Sequence, residues 1–448
     1  MTPLPAPEDR LRQILRLCVG RHDHYACLPQ SAMIGGVNAN ATATDPDFKR
    51  IAEMGNGVLG HLNAIRESGP VIWNESVRGW LVTRHQDVID GFSGKLPLSC
   101  VRIETRTFSP ERLELMSKRY PLMLESLPNW IVNTDSPRHT RLRKLMSQAF
   151  SKKIVEDLRP FARQSIQNVL DQIATQDTIE FVEQVARQIT GRVILQKFGL
   201  SADYLKNLPQ WSYTFNSGLG GVVEPTLGVM DGVERSFAEM HAVFSAEIAS
   251  RRARPTQDFL SQLIVARDDG DGLTEQELLG ICYLTIVAGH DTTLNTMSLG
   301  VAALCQDAAA RSYLLAHPES ILNSVMEVMR YVAMSTAQNR VAASDFDWHG
   351  KRIRKGDQVW LMIAGANRDP RVYANPETLD LTRATDQVAA FAPGVHHCVG
   401  HLLAKMQLCE FFPSFFARFA AARLLRTDLE FQPYFTFRGL TELQMALR

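Results

Sequence analysis

Residues 274–305 constrain the fold more than any other stretch of the chain. Thr274–Glu275–Gln276–Glu277 has the form of a capping box, in which a threonine and a glutamate three residues apart satisfy each other's orphan backbone N–H groups at a helix start. Behind it come Leu278, Leu279, Ile281, Cys282, Leu284, Ile286 and Val287, and the helical pattern continues to about Cys305. At roughly 1.5 Å per residue, such a helix is on the order of 45 Å long, enough to cross a domain. Its centre reads Ala288–Gly289–His290–Asp291–Thr292–Thr293. A glycine, an acid among apolar neighbours and two β-branched alcohols are poor choices there. One reading is a kink in which Thr292 or Thr293 bonds back to a carbonyl. The other is a functional site, since local rules broken in mid-helix often mark function.

The chain of 448 residues is 45% hydrophobic and can bury a large core. Its 48 basic and 48 acidic side chains give a formal net charge of +0, which argues against a general nucleic-acid binder or a polybasic membrane binder. The opening residues lack a basic, then apolar, leader pattern. The apolar run Leu278–Gly289 falls short of the roughly 20 residues a bilayer requires. A cytoplasmic protein without a membrane span is expected. Seven scattered cysteines, none in a C-x-x-C pair, argue against a disulfide framework or a structural zinc site.

Val71–Trp73 and Trp80–Thr83, flanking Asn74–Gly79, predict a hairpin. Residues 137–250 read as mostly helical. Residues 95–133, with Pro97, Pro110, Pro121 and Pro128, read as irregular, and the glycines of 216–232 read as a mobile connection. Val341–Ile363 and the region near Phe431–Leu447 are β-rich. The expected class is mainly α with small β-sheets, one large domain over 45–448 and an N-terminal arm over 1–44.

One cysteine stands apart. Phe391–Ala–Pro–Gly–Val–His–His–Cys398–Val–Gly400 leads into the helical pattern of Leu402–Lys405. Just before a helix, a sulfur meets unpaired N–H groups and the positive end of the dipole, and both favour thiolate. Gly394 and Gly400 permit tight turns and close approach to a flat cofactor. Phe391 can cover the sulfur and exclude water. The plainer alternative is a buried cysteine in a glycine-containing turn.

This segment resembles the haem-binding loop of the cytochrome P450 family, F-G-x-G-x-H/R-x-C-x-G followed by L-A. Phe391, Gly394, His396, Cys398, Gly400, Leu403 and Ala404 match it, and Ala392 stands where glycine is usual. The mid-helix hexapeptide resembles the family's A-G-x-D/E-T-T motif. The resemblance implies the cytochrome P450 fold, haem b as cofactor and Cys398 as axial ligand of its iron. It implies His139, Arg143, Arg340 and His396 as partners of the haem propionates. Thr292 would hold a network of dioxygen and water, Asp291 would relay protons, and Gly289 would leave room for dioxygen. Glu327–Val–Met–Arg330 and Arg383 resemble a buried architectural triad. Ala366–Pro370 also follows the family, and a polar loop stopped by proline nearly suffices for it. His397 and His401 have no family counterpart and read as solvent-facing or structural.

The reaction so implied is monooxygenation of a hydrophobic small molecule (terpenoid, aromatic or steroid-like), with O2 as co-substrate. Electrons would come from NAD(P)H through a reductase and a 2Fe-2S ferredoxin. Arg138, Arg141, Lys144 and Lys405 would form the ferredoxin's docking patch. Pocket walls are expected from 95–130, Trp211, Tyr213 and Phe215, Tyr283, Ile286–Val287, Met334–Ala337 and Phe435–Phe437. A peroxide-driven enzyme or isomerase of the same class, and a helical binding protein or gas sensor without catalysis, are the competing readings.

Overall fold

The computed structural model describes residues 42–102, 110–218, 225–268 and 272–448. Nearly all of the expected N-terminal arm lies outside the described residues, as do 103–109 and 219–224 of the glycine-rich stretch. The helices that frame the site are α1 (Arg138–Ala149), α2 (Lys152–Ile173), α3 (Arg187–Phe198), α4 (Leu208–Asn216), α5 (Leu227–Ala253), α6 (Glu275–Gln306), α7 (Ile321–Val332) and α8 (His401–Arg418).

Both halves of the capping box form at the start of α6. Thr274 Oγ1 accepts the Glu277 N–H at 3.1 Å, and Glu277 Oε2 accepts the Thr274 N–H at 3.1 Å. The buried Glu277 also receives Arg138 Nε at 2.9 Å and Arg141 Nη2 at 2.6 Å on Oε1, which fastens α1 to α6. The 32 residues of α6 make it about 48 Å long. Its first half packs in one apolar core with Leu142, Trp211, Phe237 and Phe244, contributed by α1, α4 and α5. Its second half packs in another with Val169, Val328, Phe411 and Phe415, from α2, α7 and α8. The polar break at 288–293 falls where the two cores meet.

The predicted hairpin is present as β1 (Val71–Asn74) and β2 (Gly79–Val82), paired from Val71↔Val82 to Asn74↔Gly79. With β3 (Leu98–Ser99), β4 (Gln338–Ala342) and β5 (Gln358–Leu361) it builds a sheet of order β1-β2-β5-β4-β3. Only the β2–β5 pairing is parallel. The central position of β4 carries Arg340.

One expectation needs correction and two gain detail. Pro110 and Pro121 open short helices, Pro110–Arg119 and Pro121–Ser126, instead of breaking structure, because a first-turn residue needs no N–H partner. The helical stretch 137–250 contains a strand, Thr178–Glu180, paired with Gln444–Ala446. Asn367, Arg368 and Asp369 form the expected polar loop, and it is buried. Asn367 Oδ1 accepts the Ala389 N–H at 2.9 Å, Asp369 Oδ2 accepts the His85 N–H at 2.9 Å, and Arg368 Nε donates to Glu377 at 3.0 Å. Among the described residues no helix is long and apolar enough to cross a membrane.

The expected triad is assembled. Arg330 donates to both Glu327 oxygens at 2.7 and 2.8 Å, and Arg383 Nε donates to Oε1 at 3.1 Å. Glu327 and Arg330 are fully buried, so each charge depends on the other. Glu327→Ala leaves a buried guanidinium uncompensated. It should cost roughly 3–5 kcal/mol of stability, read from the denaturant midpoint.

Candidate active site

The loop before α8 is fastened by its own backbone. Cys398 N donates to Phe391 O at 3.0 Å, His397 N to Gly394 O at 3.0 Å, and Ala404 N to Gly400 O at 3.0 Å. Gly394 has φ +130°, and a Cβ there would stand 2.1 Å from Phe92 O. Ala392 has φ +50°, which explains why glycine is the family's usual choice at this position. Gly400 has an ordinary φ of −84°, so its value lies elsewhere: its N–H bonds to the Cys398 sulfur.

Cys398 opens into a cavity of about 1360 Å³, counted out to its mouth, that lies between this loop and α6. Cys398 is exposed toward that space. Burial pushes the thiol up from its ordinary value, while the Gly400 N–H, Arg143 and Lys405 favour the thiolate. Phe391 is buried and also lines the cavity. His397 was expected to be solvent-facing or structural. It lines the cavity, and its carbonyl accepts from Arg143 Nη1. His401 is structural: its Nδ1 bonds Cys398 O at 2.9 Å.

From Gly280 to Ala302, the only half-buried residues of α6 are Ala288, Gly289 and Thr292, and all three line the cavity. Thr292 Oγ1 also donates to Ala288 O at 2.7 Å, so the back-bonded reading and the cavity position hold together. Gly289 has a second constraint besides its place on the cavity wall: the Cβ it lacks would strike Ile194 of α3 at 2.6 Å, so glycine there also serves helix–helix contact. Asp291 does not line the cavity. It is buried on another face of α6, where Oδ2 accepts from Asn216 at 3.1 Å and Asn295 at 3.0 Å. Burial pushes its carboxyl up to about 6, against the hydrogen bonds of Asn216 and Asn295 and the charge of Arg187.

Beside the cavity lies a cluster of cations. The rings of His139 and His396 are 3.9 Å apart, and buried His139 Nδ1 has no protein partner. Burial, then Arg340, His139, Arg102 and Arg143, drives His396 down to about 2. His139 is lowered by burial and Arg143, while Asp135 opposes that shift. Asp135 is itself engaged by Ser99 Oγ at 2.6 Å and Cys100 N at 2.9 Å. Three guanidinium groups and two imidazoles around an orphaned ring nitrogen fit the carboxylates of a haem. Arg340 flanks this cluster without reaching the cavity wall: it lies over the Phe92 ring at 5.2 Å, with Nη1 on Asn339 O at 2.7 Å. Arg102 was missed, because it stands in the irregular region with no motif around it.

The upper cavity wall is formed by Ile131, Val132, Phe215, Leu284, Thr285 and Phe437, with Phe215 and Phe437 stacked at 4.8 Å. Trp211, Tyr283, Ile286, Val287 and Phe435, expected on the wall, are core residues instead. Tyr213 packs on Gly232. Of the proposed docking patch, Arg138 and Arg141 are paired to Glu277 and Lys405 lies over the Phe391 ring at 5.2 Å; Lys144 is the exposed member.

A mainly helical fold, a cysteine loop before a helix and a cationic carboxylate cradle define a haem-thiolate protein. The cytochrome P450 family model matches residues 122–312 and 321–431, and the chain belongs to that family. It is thus a P450 monooxygenase, and haem b is the family's cofactor. Its relatives include the mycinamicin IV hydroxylase/epoxidase of Micromonospora griseorubida, 33% identical and covering 87% of this chain and 95% of the relative. The biotin biosynthesis cytochrome P450 of Bacillus subtilis is 29% identical, over 82% and 90% respectively. Among solved structures, P450BioI with an acyl carrier protein carrying hexadec-9Z-enoic acid aligns with a TM-score of 0.81 at 25% identity. That alignment covers 88% of this chain and all of that one.

Two variants separate the glycine roles. Gly394→Ala should displace the loop and lower haem content several-fold, read as Soret to protein absorbance. Ala392→Gly should leave haem content intact and stabilise the fold by up to about 1 kcal/mol.

A second prediction concerns Asp291. Its carboxyl is raised on folding, so its contribution to stability is present below pH 3.8 and lost as pH rises through about 6. Asp291→Asn should therefore stabilise the protein above pH 7, by on the order of 3 kcal/mol, with the gain vanishing near pH 4. Thermal midpoints across that range check it.

Proposed function

We propose that this P450 inserts one atom of O2 into a compact, lipophilic molecule of terpenoid, aromatic or steroid type. The carrying observation is the apolar upper cavity above a cysteine loop. The hydroxylase names of relatives, among them the mycinamicin IV hydroxylase/epoxidase and a 6-deoxyerythronolide B hydroxylase, support oxygen insertion over isomerisation. A thiolate-bound haem, when present, supplies the activation of dioxygen. Cys398 would be its axial ligand, with Phe391 and the Gly400 N–H shielding and bonding the sulfur. His139, Arg143, Arg340, His396 and Arg102 would hold its carboxylates. Asp291 and Thr292 are the catalytic pair of this reading. With a carboxyl near pH 6, Asp291 can take a proton from solvent and release it at Oδ1, since Oδ2 accepts two amide N–H groups. Delivery to the cavity requires that side chain to leave Asn216 and Asn295. The Thr292 hydroxyl sits at the cavity to receive the proton. Gly289 lines the same wall.

The enzyme is proposed to be cytoplasmic, with 45–448 as the catalytic domain. Asp45 and Pro46 already dock on Asn74 at 2.6 and 3.0 Å. Electrons are proposed to come from NAD(P)H through a 2Fe-2S ferredoxin docking near Lys144. The test has three readings. The reduced, carbon-monoxide-treated protein should show the thiolate-shifted Soret band, and Cys398→Ala should abolish it. A panel of steroid, monoterpenoid and aromatic probes should shift the spin state, whereas response only to polar acids would sink the substrate class. Lys144→Glu should slow ferredoxin-supported turnover about tenfold at low salt and spare peroxide-supported turnover.

A further inference from the structure

Asp291 stands off the substrate cavity, and its surroundings are polar. Asn295 of α6 and Asn216, the last residue of α4, both donate to its Oδ2. Four more polar atoms here are buried with no hydrogen-bond partner among the described residues: Asn295 Oδ1, Asn216 Oδ1, Ser212 Oγ and Ser217 Oγ. Ser212 stands beside the Asp291 carboxylate. Ser217 stands beside the phenols of Tyr213 and Tyr434, and Tyr434 lies within electrostatic reach of Asp291. Both tyrosines are half-buried. Native interiors leave few polar atoms unmatched, and where several gather, ordered water or a shared proton satisfies them. Four in one neighbourhood, next to an acid, describe a conducting polar seam better than they describe packing.

The charged groups facing Asp291 are restrained. Arg187 of α3 is paired to Glu183 at 2.7 Å. The neighbouring His290 turns to Thr190 at 2.9 Å, and burial pushes it down to about 3, so it stays neutral. Asn216 therefore holds the acid through a neutral amide, which accommodates either protonation state where an arginine would lock it ionised.

We infer that Asn216 is a positioning residue on a proton route separate from the substrate cavity, leading from Tyr434 and Tyr213 past Ser217 and Ser212 to Asp291. The inference rests on the monooxygenase reading and deepens it. Each turnover consumes one dioxygen, two electrons and two protons, giving one hydroxylated product and one water. When protons arrive late, the same two electrons and two protons leave with dioxygen as hydrogen peroxide. Damage to the route therefore diverts electrons without altering substrate binding.

The experiment compares holoenzymes of wild type, Asn216→Leu, Ser217→Ala and Tyr434→Phe. It uses the panel compound with the largest wild-type spin shift and a redox system that supports wild-type turnover. Asn216→Leu should cut product per NAD(P)H by about tenfold, with peroxide rising to match, and move the pH midpoint of turnover upward, because a hydrogen bond favouring the carboxylate is lost. Substrate affinity and peroxide-supported turnover should change less than twofold. Ser217→Ala and Tyr434→Phe should raise the solvent deuterium isotope effect. Unchanged coupling, pH midpoint and isotope effect across the three variants overturn the inference. If Asn216→Leu does not fold, the other two carry the test, since Ser217 Oγ makes no hydrogen bond that the fold depends on. A wild type without the thiolate band, or without O2-dependent product, removes the monooxygenase reading instead.

Discussion

The continuity of α6 through two separate apolar cores is the constraint on which everything else depends. A helix this long is not held by propensity; it is held by burial along its length. Its first half is fixed against α1, α4 and α5, its second against α2, α7 and α8. At the junction burial is relaxed only on the cavity face, where Ala288, Gly289 and Thr292 stand, while His290, Asp291 and Thr293 stay buried and take polar partners or bear the cost. The cavity forms at that junction, with the cysteine loop facing it. Glu277 extends the same logic to the helix start, where one carboxylate closes the capping box and binds two arginines of α1. Because α1 also carries His139 and Arg143, the cap of one helix sets the position of the cationic cradle.

Among the described residues, the charges of that cradle are mainly positive. Burial, with Arg340, Arg102 and Arg143 adding to it, holds His396 neutral at any ordinary pH. Among the described residues, Asp135 is the acid acting on His139, and its oxygens are already used by Ser99 and Cys100. Concentrating positive charge in a half-buried site destabilises the empty fold and is offset by a bound dianion. Cofactor binding and fold stability are therefore coupled through the same side chains.

Much of this was legible before any coordinates. The capping box, the hairpin and the cysteine loop are local patterns, and local hydrogen bonds decide them. Long-range questions were less legible. Motif spacing grouped Asp291 with Thr292, but consecutive helical residues point about 100° apart, and only Thr292 reaches the cavity. The same phase error assigned Tyr283, Ile286 and Val287 to the wall, where Leu284, Thr285 and Ala288 stand. Gly289 read as clearance for a ligand, and it also gives clearance for Ile194, a residue 95 positions earlier that no local pattern connects to it. Pro110 and Pro121 were read as breakers because a proline at a helix start and one in a loop look alike without the following turn. Asn367–Asp369 read only as a polar loop, and polarity alone does not reveal that His85, Ala389 and Glu377 will be brought to satisfy it.

The divided faces of α6 give the site its chemical logic. One face, through Ala288, Gly289 and Thr292, meets a cavity whose upper wall is mostly apolar, where water would compete with a lipophilic ligand. The adjoining face buries Asp291 among amides and hydroxyls, where protons can be held. Placing the acid directly in the cavity would bring its hydration with it; moving it around the helix keeps the ligand space dry. The cost is a carboxyl raised to about 6 and several unmatched polar atoms in the interior. An enzyme that must exclude water from its substrate yet admit protons to its oxidant can accept that cost, because α6 forms the wall between the two compartments and its side chains reach into both.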